Sequence, residues 1–298
     1  MIYIKDARIN YDFRLSKENA DCSVPKAAFK RKRMAFLCPA EEGRNGLHTQ
    51  DFDAKIDIRI SGKDEHISHF AWGPSGYWIY FASEIGGRSD LFKSTSTGTQ
   101  VKQLTRGEFG DITYFDIAPG GRRIAVQGYQ HSREQIWIGD MEFNSPMRVV
   151  PGNKNAIRPK WSPDGKRLAF LAQDPSRTSF YNLEVFTFSD NNVTKVAEGV
   201  KIGSFCWSRD GRMVFYSSGI NVMDLNVFKL DSMIHRKVTS SRIAGVRNEL
   251  NPRIFPLGDR DGLMFEAVTE SSSKIIWLDL ETREEKPLVE LPGYNFLK

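Results

Sequence analysis

Apolar residues along this chain come in alternating runs or short blocks, as in Trp78-Ile79-Tyr80-Phe81, Ile124-Ala125-Val126 and Leu168-Ala169-Phe170. A helix needs them at i, i+3, i+4 and i+7, and no stretch sustains that spacing. Alternation reads as half-buried strand, and short blocks rich in β-branched or aromatic residues read as strand buried on both faces. Clusters of Pro, Ser, Asp and Gly stand between the blocks. The pattern therefore predicts an all-β chain of many short strands joined by tight turns.

One phrase returns: an aromatic or apolar residue, a Pro/Ser/Asp/Gly turn, one or two basic residues, then a strand. It is clearest at Trp161-Ser162-Pro163-Asp164-Gly165-Lys166-Arg167-Leu168-Ala169-Phe170. It recurs at Trp72-Gly73-Pro74-Ser75-Gly76, Ile117-Ala118-Pro119-Gly120-Gly121 and Trp207-Ser208-Arg209-Asp210-Gly211. Degenerate copies place Lys32 in the Gly position before Arg33-Met34-Ala35-Phe36, and Asp261-Gly262 before Leu263-Met264-Phe265. Pro fixes φ early in such a turn, Asp or Ser bonds its own backbone, and Gly takes the positive φ that closes a hairpin.

The turn positions, near 32, 76, 121, 165, 211 and 262, lie about 45 residues apart. A second, less regular strand pair follows each phrase, as in Asp90-Leu91-Phe92-Lys93 and Val101-Lys102-Gln103-Leu104-Thr105. Four strands per period make one propeller blade. The expectation is a single domain over residues 1–298, a six-bladed β-propeller with four-stranded antiparallel blades. Residues 1–20 are an N-terminal extension or a closing strand, with Ile2-Tyr3-Ile4-Lys5 available to lie against the last blade.

Composition narrows this. A hydrophobic fraction of 40% with 27% charged residues supports a buried core and excludes general disorder. No apolar run approaches the ~18 residues that cross a bilayer, and Met1-Ile2-Tyr3-Ile4-Lys5-Asp6-Ala7-Arg8 carries charge where a signal peptide needs apolar residues. A cytoplasmic chain without membrane insertion is expected. Cys22, Cys38 and Cys206 are few and scattered, which predicts reduced, mostly buried thiols. The net charge of +5 is mild, so no nucleic-acid partner is expected without a local basic cluster. The basic residues Lys30, Arg31, Lys32, Arg33, Arg122, Arg123, Lys166, Arg167, Arg209, Arg212 and Arg260 fall in the turns. Asp164, Asp210 and Asp261 dilute them there, so they read as solvated turn residues.

The phrase at 161–170, with its partner from Asp90-Leu91-Phe92 to Gln103-Leu104-Thr105, resembles the repeat of TolB-type six-bladed propellers across about residues 20–290. Similar blades occur in tricorn-type and prolyl-oligopeptidase-type peptidases and in oligogalacturonate lyases, so the resemblance implies the fold and leaves activity open. The stretch Asp51-Phe52-Asp53-Ala54-Lys55-Ile56-Asp57-Ile58-Arg59-Ile60 also resembles a segment of tricorn-related propellers. TolB carries a signal peptide and an α/β domain ahead of its propeller, so a Tol-Pal envelope role is not expected of this chain. No Gly-x-Ser-x-Gly elbow occurs, so the nucleophile of the peptidases has no counterpart in the sequence.

Candidate chemistry is sparse. His66 and His69 form the best metal pair, but i and i+3 on a regular strand point to opposite faces, so polar or packing roles are expected and no metal or cofactor. His48, His131 and His235 have no partner at ligand spacing. One repeat position, on the approach to each first strand, holds His69, Tyr114, Arg158 and Ser204 in successive blades. Chemistry that varies on a repeating frame is the pattern of a binding surface. Phe70, Phe115 and Phe205, two residues before Trp72, Ile117 and Trp207, read as core. The expectation is a monomeric, non-catalytic scaffold that binds a protein or peptide through His66, His69, Tyr114, Arg158 and Ser204. The alternatives are an accessory or substrate-gating propeller of a peptidase and, third, a carbohydrate lyase.

Overall fold

The computed structural model describes residues 3–6, 11–14, 22–53, 56–150, 154–173, 180–219, 223–239, 246–257, 260–269 and 272–292. The chain is all-β. Six four-stranded sheets follow one another, each an antiparallel meander with its strands in sequence order. These six blades span residues 23–59, 66–103, 111–148, 155–197, 201–237 and 246–292. The architecture is the six-bladed propeller that the turn period predicts.

Contacts group the chain into two compact units, residues 1–151 with 156–159, and residues 152–155 with 160–298. Blades one to three belong to the first; blades five and six and most of blade four belong to the second.

Alternation explains why the blade centres are apolar on both faces. In blade two, Ile79 and Phe81 pack with Ala35, Leu37 and Leu47 of blade one. Tyr80 and Ala82, one residue out of phase, pack with Phe115, Ile124 and Val126 of blade three. A middle strand between two neighbours therefore reads as a continuous apolar block. Each fully buried Phe or Leu contributes about 1.5–3 kcal/mol over exposure.

The turns close as expected. Gly76, Gly121, Gly165 and Gly211 have φ of 67°, 62°, 67° and 70°, and Lys32 takes the same left-handed conformation at 50°. In blade four the Ser162 hydroxyl donates to Asp164 at 2.6 Å, while Asp164 accepts the Lys166 N–H at 3.0 Å. Ser208, Asp210 and Arg212 repeat this in blade five at the same distances. Blade six differs: Gly262 is not in the turn but inside the strand Arg260–Thr269, paired with Phe255 and Asp279. Its missing Cβ leaves room for the Trp277 indole. Residues 258–259 lie outside the described residues.

A second repeating device went unread in the sequence. Ser61, Thr105 and Thr239 follow the fourth strands, and their hydroxyls accept the N–H groups of Leu47, Leu91 and Leu225 at 3.0, 2.9 and 3.2 Å. Each hydroxyl satisfies a third-strand donor where the short fourth strand ends.

The cysteine expectation is corrected. Ser23 pairs with Leu37, so the antiparallel register sets Cys22 opposite Cys38, and the two form a disulfide with Cα atoms 4.1 Å apart. Only Cys206 is a free thiol. The thiol argument for a reducing compartment falls with this pairing, because disulfides persist chiefly in oxidising ones. The N-terminal strand Tyr3–Asp6 pairs with Tyr11–Arg14 as a sheet of its own, and the last blade draws all four strands from residues 246–292. Local pairing across a short connection costs far less loop-closure entropy than pairing with the far end of the chain. Among the described residues no helix is long and apolar enough to cross a membrane.

Candidate functional site

The first strands of blades one, two, three, five and six break register at a corresponding place, and that of blade six also does so between Val246 and Asn248. Irregularities fall between Ser23 and Lys26, Ile67 and His69, Ile112 and Tyr114, Ile202 and Phe205, and Leu250 and Arg253. In blade four Arg158 at this place has a φ of 54°. A bulge bends the strand and re-aims the side chain that follows. His69, Tyr114, Arg158 and Ser204 thus occupy equivalent places, but inside the first strands His66–Trp72, Asp111–Ile117, Asn155–Trp161 and Lys201–Trp207 rather than on loops approaching them.

Within the first unit the structure brings the side chains of His69 and Tyr114 together and ties the backbone of Arg158 to the neighbouring Gln127. The His69 ring lies 4.2 Å from that of Tyr114 and meets Phe115 edge-on at 4.8 Å. Gln127 is the cross-strand partner of Tyr114, and its side-chain oxygen accepts the Arg158 N–H at 2.7 Å. The Gln127 amide donates to Glu134 at 3.0 Å. The Arg158 side chain is exposed. Ser204 lies in the second unit, where its N–H donates to the Ser217 hydroxyl at 3.1 Å.

Electrostatics set the state of this row. Burial, then the positive charge of Lys26, lowers the His69 pKa to about 3, against an opposing hydrogen bond to the Phe115 backbone. The imidazole is therefore neutral at physiological pH and offers one donor and one acceptor nitrogen. Burial pushes the Glu134 carboxyl up, opposed by the Gln127 hydrogen bond and by the charge of Arg158.

His66 and His69 do not converge. His66 Nδ1 accepts the Asn45 N–H of blade one at 3.2 Å, while the His69 ring packs on blade three. Among the described residues no group of three or more His, Cys, Asp or Glu side chains is placed to hold a metal ion.

The basic turn residues are mostly engaged: Lys32 with Asp53 at 2.9 Å, Arg209 with Asp261 at 3.3 Å, and Arg167 with the Gly211 carbonyl at 3.2 Å. A groove of about 340 Å³ between the turns of blades two and three, lined by Trp78, Lys93 and Glu142, is likewise self-satisfied. Lys93 sits over the Trp78 ring and pairs with Glu142, which also binds Lys102 at 2.6 Å.

Comparison with known proteins follows this geometry. No family model matches the chain. It is 24% identical over 143 residues to dipeptidyl-peptidase 5 of Porphyromonas gingivalis, covering 43% of this chain and 21% of that one. It is 29% identical over 167 residues to a TolB homologue of Chlorobium luteolum, covering 56% and 36%. The crystal structure of TolB from Acinetobacter baumannii superposes on 89% of this chain and 64% of its own, with a TM-score of 0.58 at 16% identity. The fold is that of the TolB-type propellers. Each matched stretch is well under half of the curated relative's length, so the relatives' activities belong to larger proteins.

Two features of this TolB-like propeller escaped the sequence reading. The lysines Lys26 and Lys160 are held against the next blade, Lys26 donating to the Phe70 carbonyl at 2.5 Å and Lys160 to that of Phe205 at 2.7 Å. Their signal was present as X-Pro-basic at Val24-Pro25-Lys26, Arg158-Pro159-Lys160 and Asn251-Pro252-Arg253. Proline cannot donate to a ladder and is tolerated at a bulge. Val24 shares the positive φ of Arg158, at 51°, so the strained backbone belongs to the repeat frame and not to blade four alone.

Proposed function

We propose that this propeller is a non-catalytic binding module that takes a peptide or protein partner on the surface formed by His69, Tyr114 and Arg158. The observation that carries this reading is the contrast at the bulge place. The backbone deviation repeats from blade to blade, while the side chain it aims changes from imidazole to phenol to guanidinium. A neutral imidazole tilted against a phenol offers an aromatic face with hydrogen-bonding edges, and the exposed Arg158 of the next blade suits a carboxylate or a backbone carbonyl. Ser204 and His66, both engaged by their own blades or neighbours, support the frame.

The test is binding to an array of twelve-residue peptides, followed by titration of the best binder against the chain and its Tyr114→Ala/Arg158→Ala variant. The expected result is a loss of at least about tenfold in affinity, the scale of a lost aromatic or Arg contact, with unchanged melting temperature. Retained affinity overturns the surface.

A second reading, an accessory or substrate-gating propeller of a peptidase, is favoured by the likeness to dipeptidyl-peptidase 5. It predicts that the chain pulls down an active serine peptidase, detected with a fluorophosphonate label. Absence of labelled protein in the eluate counts against it.

A further inference from the structure

Blade five carries a hydroxyl at a core position of its second strand where four other blades carry phenylalanine, and blade three has Val126 there. Phe36, Phe81, Phe170 and Phe265 occupy one place in the second strands of blades one, two, four and six, each 0–1% exposed. In blade five that place is Tyr216, paired with Phe205 as Phe81 is with Phe70, and 1% exposed. The substitution adds one hydroxyl to a close-packed position. Among the described residues the Tyr216 hydroxyl makes no hydrogen bond, and it is not one of the fully enclosed unpartnered atoms, so it reaches the open space beside the ring.

The Tyr216 side chain lines a pocket of about 360 Å³ in the second unit. Its walls are Val196, Ala197 and Val200 on one side and the Tyr216 ring, stacked on His235 at 5.9 Å, on the other. Ser218 also lines it. The Ser218 oxygen accepts the Asn226 amide at 3.0 Å, which leaves the hydroxyl proton to donate elsewhere. Lys195 and Glu198 form an ion pair at the rim, at 2.8 Å, so the acidic charge there is offset. Burial pushes the Tyr216 hydroxyl up to about 12, so it stays a proton donor throughout the physiological range. Two hydroxyls that line one space, each with a proton to donate, suit a group with two acceptor oxygens.

We propose that this pocket binds a carboxylate attached to a small apolar group, with the carboxylate oxygens accepting from Tyr216 and Ser218 and the apolar part against Val196 and Val200. The volume is at the small end of ligand sites, about 300–1,000 Å³, and suits one residue-sized group. Both a free small acid and the C-terminus of a peptide present this chemistry. The site is separate from the His69–Tyr114 row, and its test stands independently of the function proposed there.

The probes are 3-phenylpropanoate, the tripeptide Gly-Gly-Phe and the C-terminal amides of both, titrated by calorimetry or ligand-observed NMR. The expected result is that at least one free carboxylate binds and its amide binds at least tenfold more weakly. Tyr216→Phe places the phenylalanine of blades one, two, four and six at this position, so folding is kept, and it should lower affinity by a similar factor without lowering the melting temperature. Ser218→Ala gives a second, independent loss. Binding of the tripeptide alone identifies a chain terminus as the source, and binding of the free acid alone identifies a small metabolite. Failure of both carboxylates to bind, or equal affinity in Tyr216→Phe, overturns the proposal.

Discussion

The Trp207 indole donates to the Lys160 carbonyl at 3.0 Å while the Lys160 ammonium donates to the carbonyl of Phe205, two residues before that tryptophan. Trp72 and Lys26 make the same reciprocal clasp between blades one and two, with the indole bond at 2.9 Å. Each lysine also lies over the ring of the phenylalanine whose carbonyl it binds, at 4.8 Å for Lys26 and 5.1 Å for Lys160. The tryptophan of the turn phrase is thus more than core: it joins first strands across a blade boundary.

Lys160→Met keeps the apolar stem and removes the charged donor. It should cost about 1.5–3 kcal/mol, the range for a hydrogen bond to a charged group. Trp207→Phe should cost about 1 kcal/mol by removing the indole bond to the Lys160 carbonyl. A double-mutant cycle in urea should give a coupling energy of at least about 0.5 kcal/mol, since the residues are in direct contact. Additive losses would count against the clasp.

Reduction of the Cys22–Cys38 bond, or the double serine variant, should destabilise the chain by about 3 kcal/mol, as expected for closing a loop of 16 residues. Urea unfolding with and without dithiothreitol measures it. Equal midpoints would mean the bond does not constrain the unfolded chain.

His69 resists protonation when folded, at about 3, and takes a proton near 6.5 when unfolded. Between those values the unfolded state binds more protons, so stability falls as pH drops through the window, by up to about 1.4 kcal/mol per pH unit. His69→Gln should flatten that part of the stability–pH curve. An unchanged slope would mean that the fold does not hold His69 neutral.

The Ser208 hydroxyl, and after it the Arg212 N–H, hold the Asp210 carboxyl below its ordinary value, against partial burial. Its contribution is present above the unfolded carboxylate value and is lost as pH falls through the folded one. Asp210→Asn should therefore lower the melting temperature at neutral pH and have little further effect in acid. A deficit that persists unchanged at low pH would assign the loss to packing.

Much of the candidate site was legible because repeats align. The equivalence of His69, Tyr114, Arg158 and Ser204 follows from counting back from each turn, and the structure places all four at one point of the first strand. Their placement on approach loops was wrong because a bulge does not interrupt the alternation enough to be seen in sequence. The pairing of His69 with Tyr114 was not legible, since it depends on the distance between blades.

The sequence by itself determined the all-β class, the blade period and the turn chemistry. These rest on local physics: side-chain alternation with period two, and backbone conformations that Gly, Pro, Asp and Ser favour over a few residues. Tertiary structure alone decided which residues of different strands and blades meet. Cys22 faces Cys38 through strand register, Lys160 reaches Trp207 across a blade boundary, and Tyr216 lines a pocket with Val196 and Ser218. Those contacts join positions distant along the chain, and no local preference encodes them.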